Sequence, residues 1–352
     1  PNLYDFTIEI GNEKVSSYFG MREFGISTPS ENTTTENSNE INDKTFYPRL
    51  TLNGKVLFMS GLLDQGYWPE SNLTPPSEEA MISELTFVKE CGFNMIRKHI
   101  KYEPLLFYYH CDRLGLIVWQ DIVNGAAPYS KVVTMYTPFV GVDLNDSTTI
   151  GHKMLHRSDE NNRHEFEGFI ADSIDHLYNV VSIGLWTLFN EGWGQFDSAR
   201  LTRFIREVLD RSRPIDSTSG WFDQEENVSN FLSLHIYFKK ISVPENEKRA
   251  IILSEFGGYS LKSGNEHMYS PDSSFGYKQF DSPDDLNKGL SDLYRNEVMP
   301  CIEKGLCATV YTQLTDVESE INGLVSYDRK VKKIDPAFLC ELNSELYQKG
   351  NL

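Results

Sequence analysis

Two glutamates stand where an apolar run gives way to a glycine turn. The first closes Ile183-Gly184-Leu185-Trp186-Thr187-Leu188-Phe189-Asn190-Glu191 and is followed by Gly192; the second closes Ala250-Ile251-Ile252-Leu253-Ser254-Glu255, with Gly257-Gly258 just beyond. A single Glu in such a place is ordinarily the first solvated residue past a strand. Two in matched settings imply chemistry, because carboxylates facing each other across a cleft can span one bond. One protonates the leaving oxygen while the other attacks or activates water, the pairing that cleavage of a glycosidic bond requires. Other polar side chains recur in similar positions. Arg97 and His99 lie two residues apart and so share one face of a strand. Asp121 follows Trp119-Gln120, His235 and Tyr237 close Ser233-Leu234-His235-Ile236-Tyr237, and Asp64-Gln65 follow a further apolar run. Asp121 is a candidate for binding sugar hydroxyls. Trp68, Trp193 and Trp221 are candidates for stacking walls, since the C–H faces of sugars pack well on aromatic rings.

These residues need a scaffold that gathers them. From residue 47 onward the pattern alternates between strand and helix. Strands are predicted over 56–61, 93–99, 115–121, 183–190, 215–219, 231–237, 250–255 and 306–312. Helices are predicted over 77–91, 103–114, 162–179, 196–212, 284–304 and 336–348. Ser77-Glu78-Glu79 after a Pro pair opens the first helix and Gly92 closes it, while Asp197 opens the fourth. Short apolar strands separated by amphipathic helices predict an α/β fold with a parallel sheet. A closed (β/α)8 barrel is favoured over an open doubly wound sheet. No G-x-G-x-x-G or G-x-x-x-x-G-K follows the first strand, and polar residues stand at the C-terminal ends of the strands, where barrel active sites are built. The fourth and seventh strands would then hold Glu191 and Glu255 facing each other across the mouth. Only about a dozen residues separate the predicted strands at 215–219 and 231–237, too few for a full helix.

Composition bounds the remaining possibilities. The 352 residues carry 33 Lys+Arg against 51 Asp+Glu, a formal charge of −18, which argues against a nucleic-acid surface. No apolar run approaches the roughly 18 residues of a membrane span. Cys91, Cys111, Cys301, Cys307 and Cys340 contain no C-x-x-C and predict buried reduced thiols rather than disulfides or a zinc site. Residues 3–10 alternate as a strand, and residues 27–46 are polar and read as a linker. A lone strand pair cannot form a domain. The expected organisation is therefore the end of an upstream domain over 1–26, a linker over 27–46 and the barrel over 47–352. The start at Pro1 without an initiator Met is expected of a segment from a longer protein. No signal peptide is visible, and a cytoplasmic location is the resulting expectation.

Several passages, taken in order, resemble one family. Tyr18-Phe19-Gly20-Met21-Arg22, Leu52-Asn53-Gly54-Lys55, Asn94-Met95-Ile96-Arg97, Cys111-Asp112-Arg113-Leu114-Gly115-Leu116, Asn190-Glu191 and Glu255 resemble the ordered motifs of glycoside hydrolase family 2 of clan A. That family includes β-galactosidases, β-glucuronidases and β-mannosidases, and the resemblance covers nearly the whole chain. It implies a (β/α)8 TIM barrel preceded by a short strand remnant of an immunoglobulin-like β-sandwich domain. It implies that Glu191 is the general acid/base and Glu255 the nucleophile of a retaining double displacement, their carboxyl groups about 5–5.5 Å apart. Glu191 must start protonated, so burial and the charge of Glu255 are expected to raise its pKa. Glu255 must stay ionised, and Arg97 is the expected cation beside it. Asn190 is expected to donate to the sugar 2-hydroxyl and Tyr237 to touch the nucleophile. His99, His235, Trp193 and Trp221 join the expected sugar-binding set.

The chain also departs from the family's pattern. The eighth strand usually supplies a Trp, whereas here Val310-Tyr311-Thr312-Gln313 leaves Tyr311 or Gln313 to line the floor. The Asn-x-Lys of glucuronidases is replaced by Asn322-Gly323-Leu324. The expected activity is thus a retaining exo-β-glycosidase on a neutral sugar, a β-galactoside first. A β-mannosidase or β-glucuronidase is the alternative, Val118-Trp119-Gln120-Asp121 being mannosidase-like. The rivals are a non-catalytic carbohydrate-binding barrel and an endo-acting barrel hydrolase. The expected partner is a carbohydrate substrate, with no nucleic acid, membrane, metal or cofactor required.

Overall fold

The computed structural model describes residues 1–27, 47–128, 133, 136, 141–224 and 228–351, so the expected linker lies outside it apart from Ser27. Strands β1 (Leu3–Ile10) and β2 (Glu13–Gly20) form an antiparallel hairpin, and β3 (Phe24–Ile26), β4 (Leu50–Leu52) and β5 (Lys55–Val56) form a small antiparallel sheet. The alternation predicted from the sequence then begins. It runs β6 (Met59–Asp64), α1 (Glu78–Glu90), β7 (Met95–Lys98), α2 (Leu105–Leu114), β8 (Ile117–Asp121), α3 (Thr149–Met154), α4 (Glu160–Leu177), β9 (Ile183–Thr187), α5 (Ser198–Phe204) and β10 (Ile215–Asp216). It continues through β11 (Phe231–Ile236), β12 (Ala250–Gly257), β13 (Tyr259–Leu261), β14 (Lys278–Phe280), α6 (Pro283–Leu293), α7 (Met299–Ile302), β15 (Leu306–Thr312) and α8 (Pro336–Gly350). Ser77 caps α1 through the Ala80 N–H at 3.1 Å, as read from the sequence. Asp197 precedes α5 but makes no capping bond, its carboxylate meeting His152 and Arg200 instead. No helix of the described residues is long and apolar enough to cross a membrane.

Eight parallel strands run in the order β10-β9-β8-β7-β6-β15-β12-β11, the arrangement of a (β/α)8 barrel. The seam between β10 and β11 is closed by other bonds. The Asn230 N–H reaches the Ile215 carbonyl at 3.1 Å, the Ile215 N–H reaches Asn230 Oδ1 at 2.9 Å, and Ser233 Oγ meets Asp216 at 2.7 Å. Among the described residues no helix lies between β10 and β11, in keeping with the short segment there. The first barrel strand starts three residues later than predicted, because Val56 pairs into the small sheet.

The lumen has two storeys. Met59, Leu63, Met95, Ile117, Trp119, Leu185, Phe231 and Ile252 fill the lower one. Phe24 and Leu50 of the small sheet plug it, Phe24 lying against Gly184 at the N-terminal end of β9. Polar residues occupy the upper storey, at the C-terminal ends of the strands. The hairpin is tied to the barrel by Tyr18, whose hydroxyl donates to Asp112 at 2.8 Å, and by Arg22, which donates to the carbonyls of Val181 and Val180 at 2.9 and 3.2 Å. Asp112 also accepts the Ser182 N–H at 2.6 Å. Two of the motifs that carried the resemblance are thus joints of the scaffold. Four cysteines are buried as expected, whereas Cys340 is exposed because it sits on the outer side of α8. Replacing the floor plug, Phe24→Ala, is expected to cost about 3 kcal/mol in urea unfolding; a change below about 1 kcal/mol would show that the lower storey does not depend on it.

Candidate active site

Arg97 on β7 organises the mouth. Its side chain is fully buried, and its guanidinium forks onto Asp121, Nε to Oδ1 and Nη2 to Oδ2, each at 3.0 Å. Nη2 also donates to Asn190 Oδ1 at 2.8 Å, and Nη1 to the Ser254 carbonyl at 3.1 Å and Glu255 Oε1 at 3.3 Å. Burial alone would lower the guanidinium's pKa, but Asp121 and Glu255 outweigh it and hold the charge in place. Asp121 is in turn taken up by Arg97, His99 Nδ1 (3.1 Å) and the Ile100 N–H (3.3 Å). Burial would raise this carboxyl, yet Arg97 and His99 keep it below its ordinary range. Asp121 therefore holds Arg97 and His99 rather than presenting free oxygens to a sugar. Asn190, its oxygen fixed by Arg97, is left with its amide N–H groups as donors.

The two glutamates sit in opposite environments. Glu191 follows Asn190 in a turn in which Glu191 itself has φ +51°, a left-handed conformation of the kind stored at functional sites. Its backbone N–H bonds to the Ser219 carbonyl at 2.9 Å. Gly192 is required next, because a Cβ there would lie 2.4 Å from the Phe222 ring. Burial pushes the Glu191 carboxyl up to about 7, against the opposing pull of His99 and Arg97. Its Oε1 meets His235 Nδ1 at 2.8 Å, and burial drives that imidazole down to about 4, so His235 is neutral near pH 7. Glu255 on β12 instead faces Arg97 and the Tyr237 hydroxyl, which donates to Oε2 and contacts Thr312 Oγ1 at 3.0 Å. Burial first, and then the charge of Glu255, raise the Tyr237 phenol far above its usual range, so it stays a donor. One ligand atom each of Glu191, His235 and Glu255 lies within 4.8 Å of the others. That spacing would admit a cation, but the three atoms already have protein partners and Arg97 supplies the positive charge beside Glu255.

Most of the expected set converges here: Glu191, Glu255, Asn190, Arg97, His99, Asp121, His235 and Tyr237. Gln313 joins through a polar cluster, its oxygen accepting from Gln65 at 2.9 Å and its amide donating to Asn322 at 2.7 Å. Asp64 does not join. It points out of the lumen, where Lys98 holds its Oδ2 at 2.7 Å. Tyr311 likewise belongs to the outer core beside Phe256, so it does not line the floor. Trp68 is buried with the Arg329 guanidinium 4.1 Å above its ring, so it is no stacking wall. Trp221 is half-buried against the cluster of Val133, Leu144, Leu155 and Phe222, and Trp193 is half-buried in the Glu191 turn. Two residues were not anticipated. Tyr277 stacks on Tyr237 at 4.1 Å and 7°, and half-buried Glu320 is held by Gln65 (3.2 Å) and Asn322 (2.9 Å). Both come from loops outside the strand–helix alternation, where no periodicity flags them.

The family profile described as "Glycosyl hydrolases family 2, TIM barrel domain" matches residues 40–312. The chain belongs to that family. Solved structures agree on the fold. A β-galacturonidase from Eisenbergiella tayi bound to galacturonate aligns at TM-score 0.65 with 17% identity, over 99% of this chain and 58% of that one. A β-D-glucuronidase from Dictyoglomus thermophilum aligns at 0.65 with 13% identity, over 97% and 57%. A structure from Bacteroides fragilis assigned provisionally to the β-galactosidases aligns at 0.61 with 16% identity, over 98% and 48%. The chain thus spans about half the length of these proteins. No curated protein sequence matches it.

The raised Glu191 carboxyl has a consequence for stability. Unfolded, it would titrate near 4.3; folded, near 7. The folded chain therefore holds the extra proton between these values, and stability falls as pH rises through them. Because the side chain keeps 17% exposure, the effect is put at about 2 kcal/mol. Glu191→Gln is expected to gain that much over wild type in urea unfolding at about pH 8 and nothing at about pH 4. Equal differences at both would contradict the assignment of the shift.

Proposed function

We propose that this barrel is the catalytic domain of a retaining exo-β-glycosidase in which Glu191 is the general acid/base and Glu255 the nucleophile. The observation that carries the reading is the asymmetry of two carboxyls whose oxygens lie within 4.8 Å. Inverting enzymes need roughly 6.5–9.5 Å to admit a water, whereas retaining ones work at about 5–5.5 Å. Glu191 is poised to hold a proton near neutral pH, and Glu255 is oriented by Arg97 and Tyr237. In the first step Glu191 protonates the departing oxygen while Glu255 attacks the anomeric carbon. In the second, ionised Glu191 draws a proton from water, and that water displaces Glu255. Asn190 is aimed to donate to the 2-hydroxyl, a bond that strengthens in the transition state. Exo action is carried over from the resemblance. The β1–β2 hairpin is assigned to an upstream β-sandwich on the apolar side chains that it exposes, Tyr4, Phe6, Ile8, Val15 and Phe19, while Phe24–Ile26 go with the barrel floor.

Two sugars are supported by different observations. The names of the solved relatives weigh toward β-uronides more than toward the β-galactoside expected from the sequence. The pocket favours a neutral sugar, because the wall beside the nucleophile carries Glu320 on the amides of Gln65 and Asn322, and a second carboxylate there would be repelled. A panel of nitrophenyl glycosides should therefore show the neutral β-galactoside cleaved at least about tenfold faster than the β-glucuronide or β-galacturonide. The reverse order would establish the uronide reading.

The catalytic roles separate by leaving group. Glu255→Ala should lose at least about a thousandfold in kcat on every aryl glycoside. Glu191→Ala should lose about a hundredfold or more with a poor leaving group but far less in the first step with dinitrophenol, which departs without an acid. Full turnover by Glu255→Ala would sink the assignment, and binding without turnover by wild type would leave a carbohydrate-binding barrel.

A further inference from the structure

The wall beside the nucleophile holds a carboxyl that neither chemical step uses. Glu320 lies in the segment that follows β15, and Gln65 in the one that follows β6. Glu320 Oε1 accepts from Asn322 Nδ2 at 2.9 Å and Oε2 from Gln65 Nε2 at 3.2 Å. Gln65 Nε2 spends its other hydrogen on Gln313 Oε1 at 2.9 Å, and Gln313 Nε2 donates to Asn322 Oδ1 at 2.7 Å. Gln313 and Asn322 are fully buried behind the wall, whereas Gln65 and Glu320 are half-buried and form its open face. When Glu320 is ionised, that face offers acceptors alone: its remaining lone pairs and Gln65 Oε1. Burial raises the Glu320 carboxyl and the charge of Glu255 adds to the rise, while the amides of Asn322, Gln65 and Gln313 pull it down. No cation is among these main influences.

The position of Glu320 is fixed by its own backbone. Glu320 and Val317 exchange main-chain hydrogen bonds at 2.9 and 3.0 Å. On either side of Glu320, the Ser319 carbonyl accepts the Phe275 N–H at 2.7 Å, and the Ile321 N–H donates to the Phe275 carbonyl at 2.8 Å. The base of the segment is clamped by the buried pair of Lys333 and Asp316 at 2.6 Å, and Asp316 also accepts the Gly323 N–H at 2.9 Å. Gly323 is required there, because a Cβ would lie 2.1 Å from the Asp316 nitrogen. A side chain held this firmly is preorganised for a ligand.

The strand order says which part of a sugar meets it. The charges of Glu320, Glu255 and Glu191 all act on the Tyr277 phenol, so the three carboxyls line one cavity. The anomeric carbon belongs at Glu255 on β12, the 2-hydroxyl at Asn190 beyond β9 and the leaving oxygen at Glu191. Glu191 leans on His235 of β11. The body of the ring therefore lies over the opposite arc, β8-β7-β6-β15. Along that arc His99 comes first, then Gln65, then Glu320; around the ring position 3 comes first, then position 4, then C5 with its C6 arm.

We propose that Glu320, with Gln65 beside it, accepts the 4- and 6-hydroxyls of the terminal sugar, so that the barrel selects hexopyranosides with a free primary alcohol over pentopyranosides, 6-deoxyhexosides and uronides. This rests on the retaining-glycosidase reading for the placement of the ring. The charge of Glu320 repels a uronate, but its acceptors also demand a donor, which a C6 methyl group or a missing C6 does not supply. A wall built to hydrogen-bond a hydroxyl discriminates strongly against the analogue that lacks it, because the buried acceptors are left unpaired.

The test compares nitrophenyl β-galactoside with its 6-deoxy analogue, and nitrophenyl β-glucoside with its own, in wild type, Glu320→Gln and Glu320→Ala. In the series cleaved faster, wild type should favour the 6-hydroxyl substrate by at least about a hundredfold in kcat/KM. Glu320→Ala should lose at least about tenfold on that substrate and less than about threefold on the 6-deoxy one, so the preference narrows. In Glu320→Gln the β-glucuronide should gain on the hexoside. Equal losses on both substrates would mark Glu320 as a loop anchor only and overturn the proposal. So would a wild type that cleaves the 6-deoxy substrate as well as the parent, a comparison that stands even if the variants fail to fold. If no aryl glycoside is cleaved, the hydrolase reading fails by itself. Saturation-transfer NMR with free galactose and 6-deoxygalactose then reads the wall directly: binding of galactose alone supports the proposal, and equal binding or none overturns it.

Discussion

A guanidinium sealed inside a barrel is tolerated only if its donors find acceptors, because taking an ion out of water costs several kcal/mol. Arg97 meets that condition through two carboxylates, one amide oxygen and one main-chain carbonyl, drawn from three different strands or strand ends. This single constraint aligns Asn190, orients Glu255, engages Asp121 and, through Asp121, places His99. A lysine could supply the charge but not the planar fork. The remainder of the upper storey is arranged around the Arg97 fork, and the apolar lower storey with its Phe24 plug keeps water from entering beneath it.

That arrangement also explains why two chemically identical side chains diverge. Glu255 lies against a permanent cation and a phenol that cannot ionise near neutral pH. Glu191 lies only a few ångströms away against a neutral imidazole, with burial as its main influence. The divergence follows from placement at the ends of β9 and β12, on either side of β10 and β11. The short β10–β11 connection matters here. With no helix among its described residues, the seam is closed by a main-chain bond from Asn230 to Ile215 and by the side chains of Asn230, Ser233 and Asp216.

The sequence discloses the strands because each is an apolar run bounded by turn residues, and it discloses the site because carboxylates at the ends of such runs are hard to explain otherwise. It does not disclose which way a side chain points. Parallel strands in a barrel are buried on both faces, so alternation is lost and a one-residue change of parity goes unseen. Arg97 faces the lumen while Lys98 faces the helices and draws Asp64 with it. Tyr311 is lost to the outer core for the same reason. Asp216 was hidden differently: it lies in a predicted strand, and its partner Ser233 is on β11, which only the closed barrel brings beside it. Tyr277 and Glu320 arrive on loops whose course is set by tertiary packing.

The central claim is that Glu255 forms a covalent bond to the sugar while Glu191 manages the proton. Its most direct test is to treat the protein with a 2-deoxy-2-fluoro β-glycoside carrying a dinitrophenyl leaving group and to map the labelled peptide by mass spectrometry. The account predicts a stoichiometric burst of dinitrophenol and one glycosyl ester, located on Glu255. A burst with the label on another residue, or steady hydrolysis of the natural-configuration substrate with inversion at the anomeric carbon, would contradict it.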